Sequence, residues 1–198
     1  MAEPKTAERA APQATPGAPA KPDAKPQRKR ITRRKAVEQQ VRSYLEAMNN
    51  RDPGAMVAHW REDGVEDIVA VGVLRGRDEL HDYFSSLFAA MPDARTTITR
   101  LVAGEQSCAI EWRLEATLDG APFMGIEPTG KHIEIRGFDL IELEDGQIVS
   151  NTAYFDSSSI ARQIGMLPAD GSGADRAMKS AFNAVTKLRR AVAERRGA

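Results

Sequence analysis

One carboxylate stands where an apolar side chain is due. The run Lys131 to Asp156, KHIEIRGFDLIELEDGQIVSNTAYFD, reads as two strands joined by a tight turn at Asp145-Gly146, a pair suited to positive φ. Side chains alternate along a strand, so Ile133, Ile135, Gly137, Asp139, Ile141 and Leu143 share one face. His132, Glu134, Arg136 and Glu142 take the other, which Phe138 and Leu140 interrupt. Asp139 therefore sits in an apolar row, where a carboxylate is costly unless it is paired, hydrogen-bonded or protonated. Far upstream, Tyr44 lies on the apolar stripe Val37, Val41, Tyr44, Leu45 and Met48 of a helical run, so both polar groups are aimed at one interior. Glu66 and Asp67 open a valine-rich stretch, VEDIVAVGVLRG. Acidic groups and a phenol in dry surroundings point to acid–base chemistry. The plainer readings are a core tyrosine for Tyr44 and a solvated pair for Glu66 and Asp67. His59, His81 and His132 have no metal-ligand spacing, so no metal and no cofactor are implied.

The elements that must position these groups follow in order. A first helix from Ala36 stops at Asn49-Asn50-Arg51. Asp52-Pro53 is an N-cap with proline at the first helical position, opening a short helix with Met56, Val57 and Trp60 that Asp63-Gly64 closes. The valine-rich stretch is a strand. Arg77 to Met91 is a third helix, with Leu80, Tyr83, Phe84, Leu87, Phe88 and Met91 facing inward and Pro92 stopping it. Strands follow at RTTITRLVA and at Ser107 to Leu118, and the connection FMGIEPTG leads into Lys131. Helices followed by successive antiparallel strands predict an α+β domain with helices on one sheet face.

The chain of 198 residues has no net charge, but its charge is segregated. Residues 1–35 carry +7 and residues 169–198 carry +4, leaving −11 on residues 36–168. Residues 1–35 hold six of the eleven prolines and no aromatic side chain, and are expected to be a disordered basic tail. Its cluster QRKRITRRK is suited to solubilising the chain, or to contacting nucleic acid, an acidic partner or the acidic body. Aromatic residues for base stacking are absent from it, so nucleic acid would be held through phosphates alone. Residues 36–168 form the domain. Residues 169–198 are a linker, ADGSGAD, and a basic amphipathic helix striped with Met178, Phe182, Val185, Leu188 and Val192. That helix suits capping the domain or packing on a second subunit. There is no apolar run of membrane-spanning length, and one cysteine gives no internal disulfide; a cytoplasmic location is expected. Phe138 and Leu140 on an outer sheet face predict a homodimer.

Over about Val37 to Pro168 this pattern resembles the nuclear-transport-factor-2-like superfamily, whose curved sheet wraps round helices and leaves a deep apolar pocket. FMGIEPTGKHIEIRGFDLIELEDGQIVSNTAYFD followed by ARQIGMLP is similar to the polyketide-cyclase-like branch (ester cyclases). In that reading Asp139 is the acid–base of ring closure. The branch's histidines near Leu118 and Asn151 have no counterpart here.

Three segments also resemble ketosteroid isomerases: VRSYLEAMNNRD, HWREDGVEDIV and GFDLIEL. That resemblance implies Asp67 as the base beside a ketone, with Tyr44 and a protonated Asp139 as donors to the developing oxyanion. It implies an apolar steroid-like or polyketide-like substrate, with Trp60, Phe84, Trp112, Met124, Asn151 and Tyr154 as candidate binding residues. A non-catalytic ligand-binding or scaffold protein recruited through its basic tails is the alternative from a different class.

Overall fold

The computed structural model describes residues 24–197, so the expectation of disorder over residues 1–23 lies outside the described residues. The first helix, α1 (Ala24–Asn49), starts well before Ala36. The basic cluster before Lys35, expected to be disordered, is helical: arginine and lysine are good helix formers, and Arg30 and Arg33 both pair with Glu105. Burial begins only at Val37 and recurs at Val41, Tyr44 and Leu45, so the exposed first turns project from the body.

Helix α2 (Pro53–Ala58) is capped by Asp52, whose Oδ1 accepts from the Ala55 amide at 2.9 Å. Trp60, expected on this helix, instead begins strand β1 (Trp60–Ile68), and the valine-rich stretch divides into β1 and the short β2 (Gly72–Arg75). Asp63-Gly64, expected to close a helix, lies within β1, where the register shifts between Trp60 and Val65. Helix α3 (Gly76–Ala90) buries Leu80, Phe84, Leu87 and Phe88. The long strands are β3 (Arg95–Ala103), β4 (Ser107–Leu118), β5 (Lys131–Glu144) and β6 (Gln147–Phe155). Asp145 and Gly146 make the β5–β6 turn with φ of 48° and 81°, a conformation that glycine tolerates best. Asp156 caps α4 (Ser157–Gln163), and α5 (Gly173–Gly197) follows.

The six strands form one sheet in the order β2-β1-β6-β5-β4-β3. Every neighbouring pair is antiparallel except β1 with β6, which run parallel. Helices α1 and α3 cover the inner face, and α4 packs on β5, giving the cone-like α+β architecture. The alternation of β5 is as its sequence implies: Ile133, Asp139, Ile141 and Leu143 are buried, while Phe138 and Leu140 stand on the outer face. Along α5, Met178, Phe182, Val185, Leu188 and Val192 are all exposed, so among the described residues nothing packs over this stripe. Among the described residues no helix is long and apolar enough to cross a membrane.

Candidate active site

The wedge between helices and sheet is left open as a cavity of about 290 Å³. Its walls are mostly apolar, with Leu45 from α1, Phe84 from α3, Leu114 from β4, Ile133 from β5 and Ile164 beyond α4. The β4–β5 connection bounds it, since the Gly120 and Ala121 amides bond the Ala90 and Ala89 carbonyls at the end of α3. A side chain at position 120 would collide with that backbone, an ideal Cβ lying 2.0 Å from the Ala89 oxygen. This anchor brings Phe123 and Met124 to the cavity.

One wall is polar. Trp112 Nε1 donates to Asp139 Oδ1 at 2.8 Å. Asn151 Nδ2 donates to Asp139 Oδ2 at 3.3 Å and to Glu66 Oε1 and Oε2 at 2.9 and 3.2 Å. Strand register makes this meeting: β1 and β6 place Glu66 beside Asn151, and β6 and β5 place Asn151 beside Ile141, two residues from Asp139 on the same face. The amide nitrogen of Asn151 faces the two acids, and its Oδ1 has no hydrogen-bond partner among the described residues.

Burial sets the acidities. It pushes Asp139 up to about 6, against the two hydrogen bonds from Trp112 and Asn151 that favour its ionised form. It holds Glu66 well above the usual carboxylate range, and the charge of Asp139 adds to the effect. Burial, then the charges of Glu66 and Asp139, likewise keep the Tyr44 phenol protonated far above its ordinary value, and Tyr83 is raised by burial and by Glu66. Among the described residues no Lys, Arg or His lines the cavity. Among the described residues no group of three or more His, Cys, Asp or Glu could hold a metal ion.

Of the residues singled out from sequence, Tyr44, Phe84, Trp112, Met124, Asp139 and Asn151 share this cavity. Asp67, Trp60 and Tyr154 do not line it. Asp67 faces away because Gly64, Glu66 and Ile68 are buried along this part of β1, and alternation turns its neighbour Glu66 inward. Trp60 is fully buried behind the wall, edge-on to Tyr44 with ring centroids 6.2 Å apart. Tyr154 is half exposed on the outer sheet face, opposite Phe138. Glu66 and Tyr83 are ionisable cavity residues that the sequence pattern does not single out as site residues. Around Asp139 the structure places one donor near each carboxyl oxygen, Trp112 Nε1 on Oδ1 and Asn151 Nδ2 on Oδ2.

Comparisons with known proteins agree with this architecture. The family model for SnoaL-like polyketide cyclases matches residues 38–164. No curated protein matches the sequence significantly. Among solved structures, AclR from Streptomyces galilaeus is similar at 20% identity and a TM-score of 0.62, over 83% of this chain and 99% of that one. TsrD from Streptomyces laurentii is similar at 22% identity and 0.61, over 68% and 98%. SalBIII, described as an epoxide hydrolase/cyclase-like enzyme of pyran ring formation in salinomycin, is similar at 23% and 0.53, over 62% and 92%.

Proposed function

Given that the chain belongs to the SnoaL-like polyketide cyclase family, we propose that it is a cofactor-independent enzyme closing a carbon ring in an apolar, polyketide-like substrate. The reaction is an intramolecular aldol addition with Asp139 as acid–base. The observation that carries this reading is the setting of Asp139: inside an apolar cavity, an indole and an amide donor hold its carboxylate ready to accept a proton. A group titrating at about 6 is largely ionised at neutral pH yet basic enough to attack an acidic C–H bond. Asp139 takes a proton from carbon next to a carbonyl. The resulting enolate carbon attacks a second carbonyl of the same molecule, and that carbonyl's π electrons move to its oxygen, which must then gain a proton. The apolar walls fold the chain so that the two carbons meet, which is the entropic part of the catalysis.

Ketosteroid-type isomerisation shares the first step, and it is favoured by Tyr44 lining the same cavity as Asp139. It asks for a base at Asp67, which lies off the cavity, and for a protonated Asp139 giving a hydrogen bond where the structure has it accepting two. Ring closure therefore fits better. The test incubates the protein with a tricyclic aromatic keto ester whose closure changes its visible absorbance, and in parallel with a β,γ-unsaturated ketosteroid. Closure of the first that falls by about 10²–10⁴-fold in Asp139→Asn supports the reading. Turnover of the steroid alone would favour isomerisation, and turnover of neither by folded protein would favour a binding protein.

The protein acts as a homodimer in this proposal. The outer sheet face presents Phe138, Leu140 and Tyr154 half exposed and adjacent, an apolar patch suited to a second copy.

A further inference from the structure

We infer that Glu66 is a second catalytic acid of this cavity, a neutral carboxylic acid that gives its proton to the oxygen on which charge develops while Asp139 takes a proton from carbon. The inference rests on the reading of Asp139 as acid–base and extends it to the other half of the reaction.

The geometry is that of two carboxyl groups on one amide. Asn151 Nδ2 has two hydrogens and lies 2.9, 3.2 and 3.3 Å from three carboxyl oxygens, two of Glu66 and one of Asp139. Both acids are buried, at 3% and 9% exposure, in a wall without a cation. Two negative charges this close, in apolar surroundings and with no counter-charge, do not both persist near neutral pH; the pair holds one proton.

Donor count decides which acid keeps it. Asp139 has Trp112 on Oδ1 and Asn151 on Oδ2, so its charged form is solvated at both oxygens. Glu66 has Asn151 alone. The groups around Glu66 reinforce the choice. Asp67, its neighbour on β1, is acidic and disfavours a further charge, while among the described residues Tyr44 from α1 and Tyr83 from α3 give Glu66 no hydrogen bond. Nothing facing Glu66 favours its charge except the Asn151 amide. Asp139 is therefore the base and Glu66 the acid, two like side chains given opposite tasks by their surroundings.

The step balances. The carboxylate of Asp139 removes a proton from carbon, the carbon–carbon bond forms, and the attacked carbonyl oxygen takes the proton of Glu66 to become a hydroxyl. The pair carries a charge of −1 before and after, the proton having moved from Glu66 to Asp139. When product leaves and water enters, it returns. No charge has to build up in the apolar cavity at any point.

The experiment uses the Trp112 indole N–H as a built-in probe, since it donates to Asp139. The chain has two tryptophans, so Trp112→Phe assigns its resonance in ¹⁵N-labelled protein. Across pH 4 to 10 the wild-type resonance is expected to shift in two steps, a large one near 6 for Asp139 and a smaller one at higher pH for Glu66. Glu66→Gln, which keeps an acceptor toward Asn151, is expected to abolish the second step alone. Carboxyl ¹³C shifts of glutamate in unmutated protein give the same answer without a variant, with Glu66 neutral at pH 7. On the keto ester the rate is expected to be bell-shaped in pH, and Glu66→Gln to lose the alkaline limb with a fall of about 100-fold. A Glu66 carboxyl ionising near its ordinary value, or an undiminished rate in Glu66→Gln, overturns the inference. A two-step titration in a protein that turns over no keto ester overturns the ring-closure reading, and with it the catalytic role of Glu66, while leaving a neutral acid at position 66.

Discussion

Trp112 reaches Asp139 by lying over the bare backbone of Gly137. The strand partner of Trp112 is Gly137, two residues short of the carboxylate, and an ideal Cβ there would stand 2.1 Å from Trp112 Cζ2. The glycine thus leaves the indole room to run along β5 and present Nε1 to Asp139 at 2.8 Å. Gly137→Ala is expected to displace the ring and lower stability by about 1–3 kcal/mol in denaturant melts, as overpacking does. Trp112→Phe keeps the ring but loses the donor to the charged form. Asp139 should then titrate above 6, and the acidic limb of the pH–rate profile should move to higher pH. A limb that stays in place would show that the indole does not tune the acid.

The dyad also leaves a mark on stability. Glu66 is raised in the folded state, so its favourable contribution is complete below its unfolded value, about 4.3, and is lost as pH rises toward the folded value. Glu66→Gln has no such loss. Relative to wild type, this variant should gain roughly 1–3 kcal/mol between pH 4 and pH 7.5. Urea unfolding at the two pH values measures it, and a difference independent of pH would mean that Glu66 ionises as freely in the fold as in water.

Asp67 and Glu66 make a built-in comparison. They are neighbours on β1, yet only Glu66 faces the cavity. Asp67→Asn is expected to hold turnover within about 2-fold of wild type, in keeping with an ordinary surface substitution. A collapse in Asp67→Asn with little effect in Glu66→Gln would restore the isomerase assignment of the base.

The outer sheet face gives a prediction about assembly. Leu140→Asp, which puts a charge between Phe138 and the polar neighbours of β6, should halve the solution mass from about twice 21.6 kDa to one chain. Light scattering after size exclusion reads it directly. A wild-type mass of one chain would remove the dimer altogether.

Much of this architecture is legible in the sequence. The β5–β6 hairpin could be read to its turn because its alternation is strong and Asp145-Gly146 marks the reversal. Asp139 was visible as the one acid in an apolar row. Glu66 is not, because the stretch around it has apolar residues on both parities: Val65 and Val69 argue for one face, Ile68 for the other. The bulge between Trp60 and Val65 then breaks any count carried down from the tryptophan. Trp60 was read into a helix because it follows Met56 and Val57 at helical spacing. The length of α1 is hidden by composition, since six prolines precede Ala36 while the local Arg and Lys propensity is helical. Asn151 as the shared donor depends on a parallel contact between distant strands, and no local pattern encodes that.

That parallel contact has a bearing on how the chain folds. Asp139 and Asn151 are 12 residues apart on one hairpin and can meet early, but Glu66 is separated from Asn151 by 85 residues. Such distant pairings are slow to close. Until β1 joins β6, Glu66 is a solvated carboxylate, charged above about pH 4; once joined, burial favours its neutral form. Closing the sheet at physiological pH is thus an event that draws a proton from solvent. In alkaline solution, where Glu66 would have to ionise inside the fold, the attachment of the β1–β2 edge is expected to weaken.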